Sequence, residues 1–166
     1  RPEKLETGKQ VAFVGRRQTE MHASFAALME FIPESENEEA GISVFVSNNF
    51  HYDFYKTVRD GNHVVALRKC VGDITTESHS AVLERPHARL QLRVVVESTY
   101  YQFEYREDGK DWVTLGTGIA QTIATEVADV WSGTLLALYS TGNGKPCVSP
   151  ADFAWVAYKA HILEKG

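Results

Sequence analysis

The feature that most constrains the fold is a two-residue period in hydrophobicity between residues 89 and 116. Two segments share it, with apolar side chains at alternate positions: Leu90, Leu92, Val94 and Val96, then Tyr101, Phe103 and Tyr105. Such alternation predicts β-strands with one buried face. Asp108-Gly109 is a strong turn signal, and the β-rich stretch from Trp112 to Leu115 follows it. We therefore expect a three-stranded antiparallel meander over residues 89–116.

Strand patterns also fill the first half of the chain. Phe25 to Phe31 alternates and ends before Pro33, and Ile42 to Val46 ends before Asn48-Asn49. Two further β-rich stretches flank the turn residues Asp60-Gly61-Asn62. Many short strands punctuated by Gly, Asn and Asp indicate an all-β sandwich or barrel. With no linker or shift in composition, the pattern predicts one domain over residues 1–166.

The last third of the chain is less regular. Leu135 to Tyr139 and Phe153 to Tyr158 are apolar on both faces, which predicts strands that are central in a sheet or covered by another surface. Trp112 and Trp155 fall at strand positions, where core packing is expected. Ile119, Ile123, Val127 and Trp131 have helical spacing, which indicates a short helix or helical turn.

Composition argues against several classes of partner. The net charge is −5 and no basic run is present, which disfavours nucleic-acid binding. No apolar run is long enough to span a membrane. The chain begins at Arg1 without a signal-peptide pattern, so we interpret its start as an artificial or domain boundary.

Catalytic chemistry is not expected within this chain. The acidic run from Glu34 to Glu39 lies between two strand patterns and is interpreted as a partly solvated loop flank. Glu30, Glu97 and Glu104 fall on the polar sides of their strands, whereas a glycosidase needs two carboxylates that face each other. The histidines are scattered and the cysteines lack metal-binding spacing. No nucleophile elbow or phosphate-binding loop is present.

Two residues are candidates for other roles. Asp152 is a lone acid at the start of an apolar strand, where it either begins the strand or ligates a structural calcium ion together with backbone carbonyls. Trp131 precedes Ser132-Gly133 in a predicted loop. A large aromatic residue in a loop is typically a packing plug or an interface anchor.

Several segments resemble the C-terminal domain of family 43 glycoside hydrolases of the β-xylosidase and α-L-arabinofuranosidase type. The matching segments run in the family's order from about residue 10 to residue 158: Phe13 to Gln18, Glu36 to Gly41, His51-Tyr52, Tyr105 with Asp108-Gly109 and Trp112, Trp131 to Gly133, and Ala151 to Trp155. The Gly-Arg-Arg-Gln and Glu-Glu-Ala-Gly pieces are the most specific. The chain departs from the family at Ala154, where relatives usually carry an acid.

The resemblance implies a concanavalin A-like, jelly-roll β-sandwich of two antiparallel sheets. It implies a partner as well, an N-terminal five-bladed propeller of the same protein that carries the catalytic carboxylates. Trp131 matches an aromatic, more often Phe, that reaches the rim of the substrate pocket in some relatives. Between helical spacing and an irregular family loop at residues 119–131, we favour the loop. The resemblance places such a protein in the bacterial cytoplasm or periplasm.

Two functions compete at this point. The first is an accessory domain of a glycoside hydrolase acting on xylan- or arabinan-derived oligosaccharides, without catalytic residues or a catalytic cofactor of its own. The alternative is a free-standing carbohydrate-binding module, which should display two or three exposed aromatic residues on one sheet face; Tyr55, Tyr101 and Trp112 are the candidates. A self-sufficient hydrolase would instead need two inward-facing carboxylates.

Overall fold

The chain folds into two antiparallel β-sheets packed face to face. The computed structural model describes residues 14–17, 22–97, 99–123, 134–144, 149 and 151–160. The elements in chain order are β1 (Val14–Arg17), β2 (Ala23–Phe31), β3 (Glu39–Ser47), β4 (Phe50–Arg59), β5 (Asn62–Val71), β6 (Ile74–Val82), β7 (Leu90–Val96), β8 (Tyr100–Glu107), β9 (Val113–Ile119), α1 (Ala120–Ile123), β10 (Leu135–Thr141) and β11 (Ala151–Ala160). Among these residues, no helix is long and apolar enough to cross a membrane.

The sheet order confirms the two-sheet antiparallel sandwich. Six strands form one sheet in the order β1-β10-β3-β4-β5-β6, and five form the other in the order β11-β2-β7-β8-β9. The predicted meander over residues 89–116 is confirmed as β7, β8 and β9, which pair in sequence. The turn between β4 and β5 also behaves as expected, because Asp60 and Gly61 both have positive φ, as a two-residue hairpin turn requires.

The core lies between the inward faces of the two sheets. Alternate residues of β2, β3 and β7 are buried there, including Met29, Ile42 and Leu92. Aromatic rings of β4 and β8 meet edge to face across the gap, with centroids of Phe54 and Phe103 5.6 Å apart. Offset and edge-to-face contacts of this kind stabilise aromatic cores beyond the area they bury.

The two doubly apolar segments have different places in the sheets. Leu135 to Tyr139 forms β10, which lies between β1 and β3, so the prediction of a central strand is confirmed. Phe153 to Tyr158 lies in β11, which is the edge strand beside β2, so a central position for it is wrong. An edge strand exposes both its outer face and its free backbone edge.

A β-bulge corrects the expected core position of Trp155. Phe153 lies opposite Met29 of the core, but the register shifts at the next residue and Trp155 lies opposite Leu28 on the outer face. Strict alternation would have placed both residues on the same face, and one extra residue reverses that parity. Trp155 is therefore 40% exposed.

Candidate functional site

Residues 124–133, which include the predicted pocket-rim residue Trp131, connect elements at the end of the sandwich where β9 stops. Ile119, the last residue of β9, lies opposite Tyr100, the first residue of β8. In the other sheet β4 begins beside the turn that joins β5 to β6. The hydroxyl of Tyr52 donates a 2.7 Å hydrogen bond to the carbonyl of Ile119 and ties the two sheets together here. We call this region the β9 end.

Residues 124–133 span from one element of the β9 end to another. They follow α1, whose last residue Ile123 is fully buried, and they precede Leu135, which lies opposite Phe45 near the end of β3. Trp131 belongs to this segment and lies outside the described residues. Of the stretch 119–131, for which we favoured an irregular loop over a helix, residues Ala120–Ile123 form the single turn α1, and residues 124–131 lie outside the described residues.

Buried charges cover part of the outer face of the six-stranded sheet. Arg68 of β5 donates to both carboxylate oxygens of Glu39 at 3.0 and 2.7 Å and to Asp53 at 3.0 and 2.8 Å. Glu39 also accepts hydrogen bonds from the hydroxyl of Tyr139 at 2.6 Å and from the side-chain amide of Asn143 at 2.7 Å. Three adjacent strands and β10 are thereby crosslinked by charge-assisted hydrogen bonds.

This cluster fixes the ionisation of its members. Burial by itself would raise the pKa of Asp53, but His51 and Arg68 outweigh it through charge and hydrogen bonding and lower that pKa. Burial, reinforced by the neighbouring Glu39 carboxylate, raises the pKa of Tyr139 well above its usual value. Both groups therefore keep one protonation state across neutral pH, which suits a structural role better than proton transfer.

The acidic run from Glu34 to Glu39 was predicted to be a partly solvated loop flank, and this holds for only part of the run. Glu34 and Glu36 are exposed, as a solvated loop flank requires, but Glu38 and Glu39 are almost fully buried. Glu38 accepts hydrogen bonds from the backbone nitrogen and hydroxyl of Ser149, at 2.8 and 3.0 Å. These two glutamates bind the start of β3 to residues more than a hundred positions away, a pairing that local sequence cannot reveal.

The other strand glutamates do not form a facing pair. Glu104 is nearly buried on the outer face of β8 and accepts a 2.7 Å hydrogen bond from Arg93. Glu97 lies 2.9 Å from His22, and Glu30 is exposed at the far end of β2. Glu30 lies 4.0 Å from Arg89, so each of these carboxylates has a basic partner, and all three point away from the core.

The three candidate aromatics for sugar binding are not aligned on one face. Tyr101 is buried in the core, and Tyr55 is buried on the outer face of the other sheet. Trp112 lies just before β9, with the guanidinium carbons of Arg93 and Arg106 3.9 and 4.8 Å from its ring centroid. Its expected core position is therefore wrong, because it packs on charged residues of the outer face.

Asp152 lies at the opposite end of the sandwich from the β9 end. It is exposed, lies opposite Glu30, and lines a cleft of about 710 Å³ that Glu34 and Asp108 also line. Within the described ranges, no group of three or more His, Cys, Asp or Glu side chains is placed to hold a metal ion. Calcium binding at Asp152 stays a prediction.

Known proteins share this architecture. The family model of the β-xylosidase C-terminal concanavalin A-like domain matches residues 1–159. The non-reducing end α-L-arabinofuranosidase BoGH43B of Bacteroides ovatus is 31% identical over 92% of this chain, and a Vibrio xylan 1,3-β-xylosidase is 26% identical over 90%. The matched regions are 28% and 29% of those proteins, so this chain spans less than a third of their length.

Solved structures agree in fold. The GH43 protein BlXynB of Bacillus licheniformis superposes with a TM-score of 0.88 at 21% identity, over 96% of this chain and 32% of that one. The Bacteroides ovatus xyloglucan PUL GH43B superposes with a TM-score of 0.86 at 31% identity, over 90% of this chain and 29% of that one. The concanavalin A-like sandwich is thereby confirmed, and the chain belongs to the C-terminal concanavalin A-like domain family of family 43 glycoside hydrolases.

Proposed function

We propose that this chain is an accessory domain of a glycoside hydrolase that acts on xylan- or arabinan-derived oligosaccharides. It packs on a catalytic five-bladed propeller of the same protein, and Trp131 supplies an apolar wall at the rim of the substrate pocket. The observation that carries the proposal is the family match over residues 1–159, together with relatives in which the matched region is under a third of the protein. An apolar wall would orient a sugar and exclude water from one side of the pocket.

The buried carboxylates of the described residues support an accessory role. Glu39 and Asp53 are bound by Arg68, and Glu107 accepts a 2.6 Å hydrogen bond from the backbone nitrogen of Arg85. Retaining and inverting glycosidases both need two carboxyl groups that flank a substrate-sized gap and keep different pKa values. The carboxylates seen here instead face protein donors, so their hydrogen-bonding capacity stabilises the sandwich.

The test is hydrolysis of p-nitrophenyl β-xyloside and p-nitrophenyl α-L-arabinofuranoside. This 166-residue chain alone should show no turnover, whereas the complete gene product should hydrolyse at least one substrate. In the complete protein, Trp131→Ala should lower kcat/KM. Turnover by the isolated chain, or full activity of the protein after removal of this domain, would contradict the proposal.

A further inference from the structure

Two of the three tryptophans lie on the outer face of the five-stranded sheet, on one line across its strands. Trp155 of β11 lies opposite Leu28 of β2. Leu28 in turn lies opposite Gln91 of β7, and Gln91 lies opposite Arg106 of β8. Trp112 comes directly before β9, and the guanidinium carbon of Arg106 is 4.8 Å from the centroid of its ring. We call these five residues the tryptophan row.

The length of the tryptophan row suits an extended ligand. The row crosses the five strands of this sheet from the edge strand β11 to the edge strand β9, and therefore spans four gaps between neighbouring strands. Neighbouring strands are about 4.8 Å apart, so the two tryptophans are separated by roughly 19 Å, close to the length of a tetrasaccharide. A chain of linked sugars that lies across the strands can therefore contact both indole rings.

The β11 half of the row is flat and apolar. The side chain of Trp155 is 40% exposed, and Leu28 beside it is nearly buried. The next cross-strand pair on the same face consists of Ala157 and Ala26, whose side chains are too short to cover the indole. A pyranose ring presents C–H groups that pack on an aromatic face, because that face is electron-rich. Trp155 therefore offers a stacking surface for one sugar ring.

The other half of the row carries hydrogen-bonding groups. Nη2 of Arg106 donates to Oε1 of Gln91 at 2.8 Å. In the next cross-strand pair, Nη2 of Arg93 donates to Glu104 at 2.7 Å. Each bond uses one of the five N–H donors of a guanidinium. Both guanidinium groups also stack on Trp112, which holds them in place without using further donors. The remaining donors suit the neighbouring hydroxyl groups of a sugar.

The order of these groups favours a sugar chain over a protein partner. Protein interfaces concentrate aromatic anchors at a centre that is depleted of charge, and a polar rim surrounds them. The tryptophan row has the reverse order, with aromatic rings at its two ends and Gln91 and Arg106 between them. Among sugars, xylose suits an indole especially well, because its ring carries no exocyclic hydroxymethyl group and either side can lie flat.

We therefore propose that the tryptophan row is a binding site for a β-1,4-linked xylose chain, with Trp155 and Trp112 at the ends of a tetrasaccharide-length stretch. The inference rests on the proposed function for its class of ligand. It goes further because it gives this chain a carbohydrate site of its own, built from described residues of four strands and the residue before β9. Such a site would hold the polymer from which the oligosaccharide substrates derive.

The sheet itself supplies a matched control. Tyr100 is 38% exposed, which is comparable with Trp155, and it lies on the outer face of the same sheet. It begins β8, however, whereas Arg106 lies near the other end of that strand. Tyr100→Ala therefore removes an equally exposed aromatic ring from the same face without touching the row. A loss of binding that is confined to the row cannot come from lost aromatic surface alone.

The experiment measures binding of the complete gene product to insoluble β-1,4-xylan in the cold, where hydrolysis is slow. Trp155→Ala, Trp112→Ala and Gln91→Ala should each weaken binding by about fivefold or more, and Tyr100→Ala by less than about twofold. Far-UV circular dichroism checks that the variants are folded. If Trp112→Ala does not fold, Trp155→Ala and Gln91→Ala still decide the outcome, because both side chains are at least partly exposed.

A second measurement compares hydrolysis of soluble xylan with hydrolysis of p-nitrophenyl β-xyloside. The small substrate is too short to reach from one tryptophan to the other. The ratio of kcat/KM for xylan to kcat/KM for the small substrate should therefore fall in the three row variants and stay constant in Tyr100→Ala. An equal fall on both substrates would place the effect in the catalytic pocket and overturn the inference.

The other outcomes separate the two proposals. If row and control variants bind xylan alike while the complete protein hydrolyses p-nitrophenyl substrates, the proposed function stands and the binding site is wrong. If the row binds xylan but the complete protein hydrolyses neither p-nitrophenyl substrate, the proposed function is wrong and the binding site stands. Loss of a dimer in sedimentation of Trp155→Ala, with xylan binding retained, would make the face a protein contact. Equal binding to cellulose through the row would overturn the choice of xylose.

Discussion

The guanidinium of Arg68 binds both carboxylate oxygens of Glu39, at 3.0 and 2.7 Å, across the intervening strand β4. The pair lies on the outer face of a two-layer sandwich, where solvent would ordinarily be expected, yet Glu39 is almost completely buried. Asp53, which lies on β4 between the two strands, also accepts a 2.8 Å hydrogen bond from Arg68. If Arg68 were removed, Glu39 and Asp53 would stay buried without a cation beside them. A buried charge without a partner is strongly destabilising.

Removal of the arginine should therefore be severe. Arg68→Met should lower the free energy of unfolding by about 3–5 kcal/mol, since Glu39 and Asp53 would stay buried without a cation. Arg93→Met is the matched control, because Arg93 donates to Glu104 at 2.7 Å from a more exposed position, and it should cost about 1 kcal/mol. Urea unfolding of the 166-residue chain at neutral pH measures both. If both variants lost the same free energy of unfolding, the Arg68 cluster would stabilise the fold no more than the more exposed Arg93–Glu104 pair does.

The strands were predictable because their signal is local. The alternation of Leu90 to Val96 and the turn at Asp60-Gly61 depend on neighbours in sequence, and the structure confirms both. The Arg68 cluster was not predictable, because its members come from strands whose order in the sheet is set by the whole fold. A weak signal was present: charged residues in the middle of apolar and aromatic strands, as at Asp53 and Arg68, indicate buried partners.

The candidate pocket-rim residue rests on the resemblance alone and stays a prediction. Trp131 has no periodic or charged context that distinguishes a pocket-rim residue from a packing plug, and it lies outside the described residues. At Trp155 the sequence does carry a periodic signal, but the signal is misleading. The alternation predicts a core residue, and one bulged residue moves Trp155 to the outer face. A bulge depends on the partner strand, and β11 alone does not encode it in a recognisable pattern.

Gly41, the last residue of the Glu-Glu-Ala-Gly segment, has a steric reason to be glycine. A Cβ there would overlap the backbone carbonyl oxygen of Phe54 and lie 2.7 Å from Cα of Tyr55. Gly41→Ala should therefore cost about 3 kcal/mol or more, because backbone atoms of a central strand cannot move aside. Gly72→Ala is the control: its site is open and its cost is limited to a positive φ of 67°, about 1 kcal/mol. Thermal and urea unfolding should rank the two variants in this order.

The bulge in β11 makes a prediction about deletions. Removing Ala154, the extra residue, leaves Phe153 opposite Met29 and Trp155 opposite Leu28, so every side chain keeps its face. Removing Ala157 would instead turn Tyr158, which lies opposite Phe25, away from the core. The first deletion should cost less than about 1 kcal/mol and the second about 2 kcal/mol or more. Similar free energies of unfolding for the two deletions would contradict the register.

Lys56 should make the free energy of unfolding depend on pH in the alkaline range. Its side chain is buried at the end of β4, where Nζ donates to the carbonyls of Phe31 and Pro86, both at 2.6 Å. Burial lowers its pKa to about 8, partly opposed by Glu107, against 10.5 for an exposed lysine. Between these two values the unfolded chain holds a proton that the folded chain has released. The contribution of Lys56 to stability should therefore rise as the pH increases from about 8 to 10.5.

The measurement is the difference in free energy of unfolding between the unchanged chain and Lys56→Met, by urea unfolding at several pH values from 7 to 11. That difference should be constant below about pH 8, grow with pH above it, and level off beyond 10.5. The subtraction removes the titration of other groups, since they are common to both proteins. A difference that stays flat would mean that the two carbonyls and Glu107 hold the ammonium form as firmly in the folded chain as water does in the unfolded one. A difference that falls with pH would mean that they hold it more firmly, and the buried lysine would then stabilise the sandwich as a cation.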